Sequence, residues 1–371
     1  VQARNNHDGS KALDGKGAFA KSLAPGFGAF TGNGAVPTAN ANANLTASVG
    51  SGSQLSAGGR VDVLASNSND AEAKALALSI GGAAYGVSIG NANANGATAA
   101  ELLGGVGTSS GIAVRAQAVN VANTRADASG GGLSGNNGAS SNATANGAVS
   151  TTIGVAAQDA SLNASGAIVI ESIGSNDATA NTYGLSLGLG SAVGIMAASA
   201  EASPDVRSTV TGNTALVSGS GVRVGAYANQ NGEDSRATAD AASGSLGLAA
   251  SGTIVNSKAL GGAQSLVGNK TGLAGGSGAV TVEGKSSAVA VATGTAYGFG
   301  AVAGAGSVRS DARSGGTTGA VSGADVTGAS YSVLAHTDQS ANAQGSGAGG
   351  GVLVGASGAS ATSQAAPTVN A

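Results

Sequence analysis

The stretch Gly59-Arg60-Val61-Asp62-Val63-Leu64-Ala65-Ser66-Asn67-Ser68-Asn69-Asp70, continued by Ala71-Glu72-Ala73-Lys74-Ala75-Leu76-Ala77-Leu78, decides the fold. It opens on an apolar pair, Val61 and Val63, separated by one polar residue. Alternation with a period of two places one side-chain set on a buried face and the other on an open face, which is the mark of a β-strand. The same pair returns as Ile112/Val114, Ile168/Ile170, Val222/Val224, Val280/Val282 and Tyr331/Val333. The second members are 51, 56, 54, 58 and 51 residues apart. The residue between is Asp62, Ala113, Arg223, Thr281 or Ser332, with Val169 as the exception.

Each pair is followed by a polar segment such as Ser66-Asn67-Ser68-Asn69-Asp70, Gly174-Ser175-Asn176-Asp177 or Asn229-Gln230-Asn231-Gly232-Glu233-Asp234. Asn, Asp and Ser bond their own backbone, so these segments are expected to be turns. Alternating Ala comes next, and then Gly-rich apolar stretches such as Gly184-Leu185-Ser186-Leu187-Gly188-Leu189. Val1-Gln2-Ala3-Arg4-Asn5-Asn6-His7-Asp8 enters in the phase of Val63 to Asp70. The first unit is then 62 residues long, and an insertion at residues 16–25 accounts for the excess. Seven units begin near residues 1, 63, 114, 170, 224, 282 and 333, and no compositional break divides the 371 residues into domains.

Gly (66) and Ala (80) form about 39% of the chain, aromatics 2% and charged residues 9%. An ordinary domain carries about 25% charge and about 7% Gly, so a globule with a Leu/Phe core is excluded. Disorder fits poorly with 42% apolar residues and four prolines. Gly without a three-residue period excludes collagen. A helix over residues 60–80 is the one local alternative, because Ala is the best helix former; elsewhere Gly is too frequent.

A unit of this size with several short strands cannot bury a face alone, but stacked units can. The expected fold is therefore all-β: a parallel β-solenoid (β-helix) of about seven ~54-residue units, right-handed, continuous over residues 1–371. Two or three coils per unit make a rod of roughly 70 to 100 Å at the interstrand spacing. Small side chains let facing sheets approach closely, and stacked Asn is expected to form amide ladders. Val1 enters at the second member of a pair and Ala371 leaves before the next, so the rod either continues in further residues or stacks end to end.

The cycle from Gly59-Arg60-Val61-Asp62-Val63 through Ile80-Gly81-Gly82 to Leu102-Leu103-Gly104-Gly105 resembles the repeats of large secreted bacterial adhesins of the filamentous haemagglutinin and leukotoxin type. The resemblance covers nearly the whole chain. It implies export to the cell surface, a β-helical rod, and a role in adhesion, biofilm or extracellular filaments.

Chemistry-bearing residues are few. Cys is absent, which excludes disulfides and Cys-based zinc sites. His7 and His336 each follow an anchor valine, with Asp8 and Asp338 nearby; they read as solvated turn histidines in place of Asn rather than as metal ligands. Glu233-Asp234 with Arg236 and Asp240 is the densest acidic spot and reads as a charge-balanced turn, not a glycosidase carboxylate pair. Gly268-Asn269-Lys270-Thr271 lacks the upstream Gly of a phosphate loop. Net charge −3 with scattered Lys and Arg argues against nucleic acid, and no apolar run reaches the length of a membrane span. No catalytic, cofactor-binding or metal-binding residue is assigned, and no cofactor is expected. The leading expectation is an extracellular structural rod at the bacterial surface that associates with itself end to end or laterally. The alternative is a binding module whose polar Asn/Thr face, as in Ala39-Asn40-Ala41-Asn42-Ala43-Asn44 and Asn91-Ala92-Asn93-Ala94-Asn95, meets a host or cell-surface glycan, or ice.

Overall fold

The anchor pairs stack directly on one another. Val61 pairs with Ile112, Ile112 with Ile168, Ile168 with Val222, Val222 with Val280, and Val280 with Tyr331, all in parallel. The computed structural model describes residues 1–155, 159–230 and 234–371. Its strands form one parallel sheet of 16 strands and a second of six. The chain is a parallel β-solenoid, and the run 60–80, the candidate helix, lies within the strand Arg60–Asn93.

Each unit is a single coil. The expectation of two or three coils per unit is thereby corrected, and seven coils rise only roughly 30 Å at the interstrand spacing. The physical reason is the shape of the coil. About half of each unit runs outward and comes straight back as a flat tongue. In the fourth coil, residues 178–188 form the outgoing arm and 191–202 the returning arm of the strand Ile168–Ala202. The two arms face each other: Thr182 Oγ1 donates to the Ala197 carbonyl at 2.8 Å, and Ser186 Oγ to the Val193 carbonyl at 2.8 Å.

Two cores of different character result. The body of the coil has three short walls, which in the fourth coil are the anchor segment, Asp205–Val210 and Thr214–Ser218. Their inward columns carry branched side chains: Val63–Val114–Ile170–Val224–Val282 on one wall, Leu102–Ile153–Val210–Val267 on the next, and Leu55–Val106–Leu162–Leu216–Leu273–Val326 on the third. The tongue is lined by small residues, Ala above all with Ser and Thr among it, as in the column Ala77–Ala128–Gly184–Ala241–Ala296. The largest side chain there, Met196, fits opposite a Gly. A Cβ on Gly184 would lie 1.6 Å from the Cε of Met196, the single methionine. Val308 likewise approaches Gly294 and Gly345. The separation of the arms is thus constant although the residues vary. All four phenylalanines, Phe19, Phe27, Phe30 and Phe299, lie outside on the exposed surface.

Glycine marks the tip of the tongue. Gly28, Gly81 and Gly132 stack in register, and Gly188 follows. A Cβ on Gly132 would stand 1.5 Å from the Gly81 carbonyl oxygen, so no other residue fits without moving the backbone.

The polar segments are not uniformly turns. Ser66 to Asp70 continue the strand Arg60–Asn93, and Asn67 and Asn69 are buried. Their amides take partners from neighbouring coils, so no turn is required to satisfy them. In the first and fifth coils the chain does break there, with Asn6 at φ 48° and Asn229 at φ 47°. The insertion in the first unit also lies earlier than expected. Thirteen residues lead from Asn5 to Ala18, where four lead from their partners Asn67 to Ala71. The extra residues are therefore within 6–17, not 16–25.

Replacement of the buried Ala180 by Leu is expected to lower the unfolding free energy by about 1–3 kcal/mol through overpacking. The outward neighbour Thr179→Leu should stay within about 0.5 kcal/mol of the parent. Urea denaturation of the two variants checks this; equal effects would contradict an alanine-set arm separation.

Candidate functional site

Polar side chains gather in three places. The first is a groove of about 460 Å³ on the outer face of the outgoing arms. Strand alternation turns residues 76, 127, 183, 240 and 295 outward, and parallel register places Leu76, Asp127, Tyr183, Asp240 and Thr295 in one column across five coils. The adjacent columns hold Lys74, Arg125 and Asn181 on one side, and Ser129, Leu185 and Tyr297 on the other. Arg125 Nε donates to Asp127 Oδ2 at 2.8 Å, and its guanidinium lies over the Tyr183 ring, 5.0 Å from the centroid. Thr295 Oγ1 donates to Asp240 Oδ1.

The second is a charge column on the outer face of the anchor wall. Glu171, Gly225 and Glu283 are in register. Both glutamates are buried between cations. Arg115 Nε donates to Glu171 Oε2 at 3.0 Å, Arg223 lies 3.5 Å from Glu171 and 3.3 Å from Glu283, and Lys285 also contacts Glu283. Gly225 leaves a gap between the glutamates that the Tyr227 ring fills. The Tyr227 hydroxyl accepts from Arg223 Nη2 at 2.6 Å and donates to Glu283 Oε2 at 2.8 Å. Burial and the neighbouring carboxylate push its phenol up, while the donors to Glu283, with the nearby cations, hold that carboxyl below its ordinary value despite burial.

The third is a buried amide ladder where body and tongue meet. Asn69 Nδ2 donates to Asn120 Oδ1 at 2.9 Å, Asn120 Nδ2 to Asn176 Oδ1 at 2.7 Å, and the Asn176 N–H to Asn229 Oδ1 at 2.7 Å. The expected Asn stacking is present here and also outside, where Asn93 Nδ2 donates to Asn40 Oδ1 at 2.8 Å and the Asn146 N–H to Asn95 Oδ1 at 2.9 Å.

The two histidines differ. His7 follows the strand Gln2–Asn5, whose register with the second coil ends at Asn5↔Asn67. It is buried, however, not solvated, because residues 8–13 fold over it; its Nδ1 accepts from the Gly9 N–H at 2.9 Å. Burial lowers its pKa. His336 is exposed on the strand Ser330–Asn370 and lies 3.1 Å from Asp338. The two belong to the first and last coils and do not meet within the chain.

Glu233 lies outside the described residues. Asp240 faces outward into the groove, whereas Asp234 is buried with Oδ2 accepting from the Val289 N–H at 2.8 Å. Burial pushes the Asp234 carboxyl up to about 7, with help from nearby Asp177 and against the hydrogen bonds from Val289 and Asn229. Among the described residues no group of three or more His, Asp or Glu is placed to hold a metal ion, and no helix is long and apolar enough to cross a membrane.

The groove residues carry a sequence signal that composition hides. Leu76, Asp127, Tyr183 and Thr295 each stand thirteen residues past the second member of their anchor pair. No family model matches the chain, and no curated protein matches it.

The raised Asp234 pKa has a definite consequence for stability. The folded chain keeps a proton that the unfolded chain releases near the ordinary carboxylate pKa, so stability falls as pH rises from there through about 7. Asp234→Asn keeps an acceptor for the Val289 N–H but carries no charge. The variant is expected to exceed the parent in stability at pH 8, and the difference should vanish near pH 4. Thermal unfolding at the two pH values checks this.

Proposed function

We propose that the protein is a structural rod: a stretch of a secreted bacterial adhesin resembling the filamentous haemagglutinin type, or the subunit of an extracellular filament, acting mechanically and not as an enzyme. The observation that carries the reading is the parallel pairing of every coil on the next, through both body and tongue. Parallel β-rods of this kind distribute load over many backbone hydrogen bonds and expose few loops to proteases. The buried amide ladder and the alternating charge column run along the same axis and brace it.

Association end to end follows the same logic. The strand Ser330–Asn370 pairs with Ala279–Ser322 along nearly its whole length and has no strand on its other side among the described residues. A parallel edge of this kind is a template for a further coil, whether of the same chain or of a second copy. The exposed Asn amides of the alternative glycan- or ice-binding face are engaged between coils, which favours a mechanical role for them.

Small-angle scattering and negative-stain imaging over a concentration series test the proposal. The expected result is particles that lengthen along one axis at constant cross-section as concentration rises. Particles whose dimensions stay fixed at every concentration would sink end-to-end association.

A further inference from the structure

We infer that the groove on the outgoing arms is a binding site for a neutral oligosaccharide lying along the rod axis. This goes beyond the rod reading and does not depend on it. Tyr183 and Tyr297 are 38% and 41% exposed, so each ring is held by the strand while part of its surface stays open to a ligand. They stand two coils apart, since Tyr183 is level with Asp240 and Tyr297 is level with Ala242 in the coil between. The separation along the axis is therefore about 10 Å. The repeat of an extended pyranose chain is close to one coil spacing, so two sugar rings span the distance between the tyrosines.

The chemistry between the rings suits a polyol. The C–H face of a sugar packs on an exposed aromatic face, while carboxylates accept hydrogen bonds from adjacent hydroxyls. Asp127 and Asp240 flank Tyr183 in its own column, one coil to either side. Arg125 neutralises Asp127 and stacks on the Tyr183 ring, which fixes that ring against rotation. Asp240 is fixed by Thr295 through Oδ1 and takes no bond at Oδ2 among the described residues, leaving that oxygen for a ligand hydroxyl. With two carboxylates and one guanidinium the groove is net negative, so an acidic sugar is disfavoured. A second, polar groove lined by Glu72, Lys74, Asn123, Thr179 and Asn181 adjoins it on the same face and extends the surface available to a chain. The groove is open and shallow, which fits a linear polymer better than a small enclosed ligand.

The chain has five tyrosines and no tryptophan, and two of the five line the groove, so the ligand-induced change in tyrosine fluorescence is read against the Tyr183→Ala and Tyr297→Ala variants. The whole chain is titrated with cellohexaose, maltohexaose and chitohexaose, and with trigalacturonate as the acidic contrast. Saturable binding of at least one neutral hexasaccharide is expected, with none of trigalacturonate. Tyr183→Ala and Tyr297→Ala should each weaken it by about tenfold or more, a loss typical of a stacked ring. Tyr331→Ala, on the anchor wall of the last coil, should bind as the parent does. Circular dichroism of each variant confirms the fold. The inference is overturned if no neutral hexasaccharide saturates, if trigalacturonate binds as well, or if the folded Tyr183→Ala and Tyr297→Ala variants bind like the parent.

Discussion

The close approach of two β-arms across a layer of alanine is the constraint on which the rest of the structure depends. Each inner arm is hydrogen-bonded to the coils above and below, so its backbone cannot adjust locally without breaking a ladder. The gap between arms is then fixed, and the side chains must fit it. Alanine fits, serine and threonine fit, some of them bonding the opposite carbonyl as Thr182 and Ser186 do, and the bulkiest residue, Met196, fits opposite Gly184. The unusual composition is the direct expression of this geometry. Interior close packing tolerates extra methylenes poorly, and here the tolerance is set many times over along one axis.

Body and tongue divide the work of stability. The branched columns of the body supply ordinary apolar burial, with Ile168, Ile170, Leu162 and Leu216 fully buried. The tongue buries little per residue and relies on continuous pairing and dispersion contacts. Polar groups at the junction are satisfied along the axis, not across the coil, which is why the buried asparagines bond to the asparagines of neighbouring coils. A buried amide left without its partner costs about 1–3 kcal/mol, so each rung of that ladder penalises a slipped register.

The repeat and the fold were legible because the anchor pairs recur at spacings close enough to count, and because alternation with a period of two has only one common meaning. The number of coils per unit was not legible. Alternating Ala reads equally well as one wall of a small coil or as one arm of a long tongue, and only the pairing of residues 182 and 197 distinguishes them. Ser66 to Asp70 were misread as a turn because the turn preference of Asn assumes that its amide has no better partner; here a neighbouring coil supplies one. The burial of His7 depends on a short insertion whose folding over the coil leaves no periodic trace. The Tyr183–Asp240 groove was hidden because its members come from successive coils; most share only an offset from their anchors, and Asp240 departs even from that.

The number of coils between equivalent residues is the most direct test of the account. Lys74 and Thr293 stand in one column, four coils apart, and the chain has no native cysteine to interfere with labelling. Nitroxide labels on a Lys74→Cys, Thr293→Cys variant, measured by electron double resonance, should lie about 19 Å apart if each unit is one coil at the interstrand spacing. A distance of about 40 Å or more would mean at least two coils per unit, and with it the alanine-lined tongue would have to be abandoned.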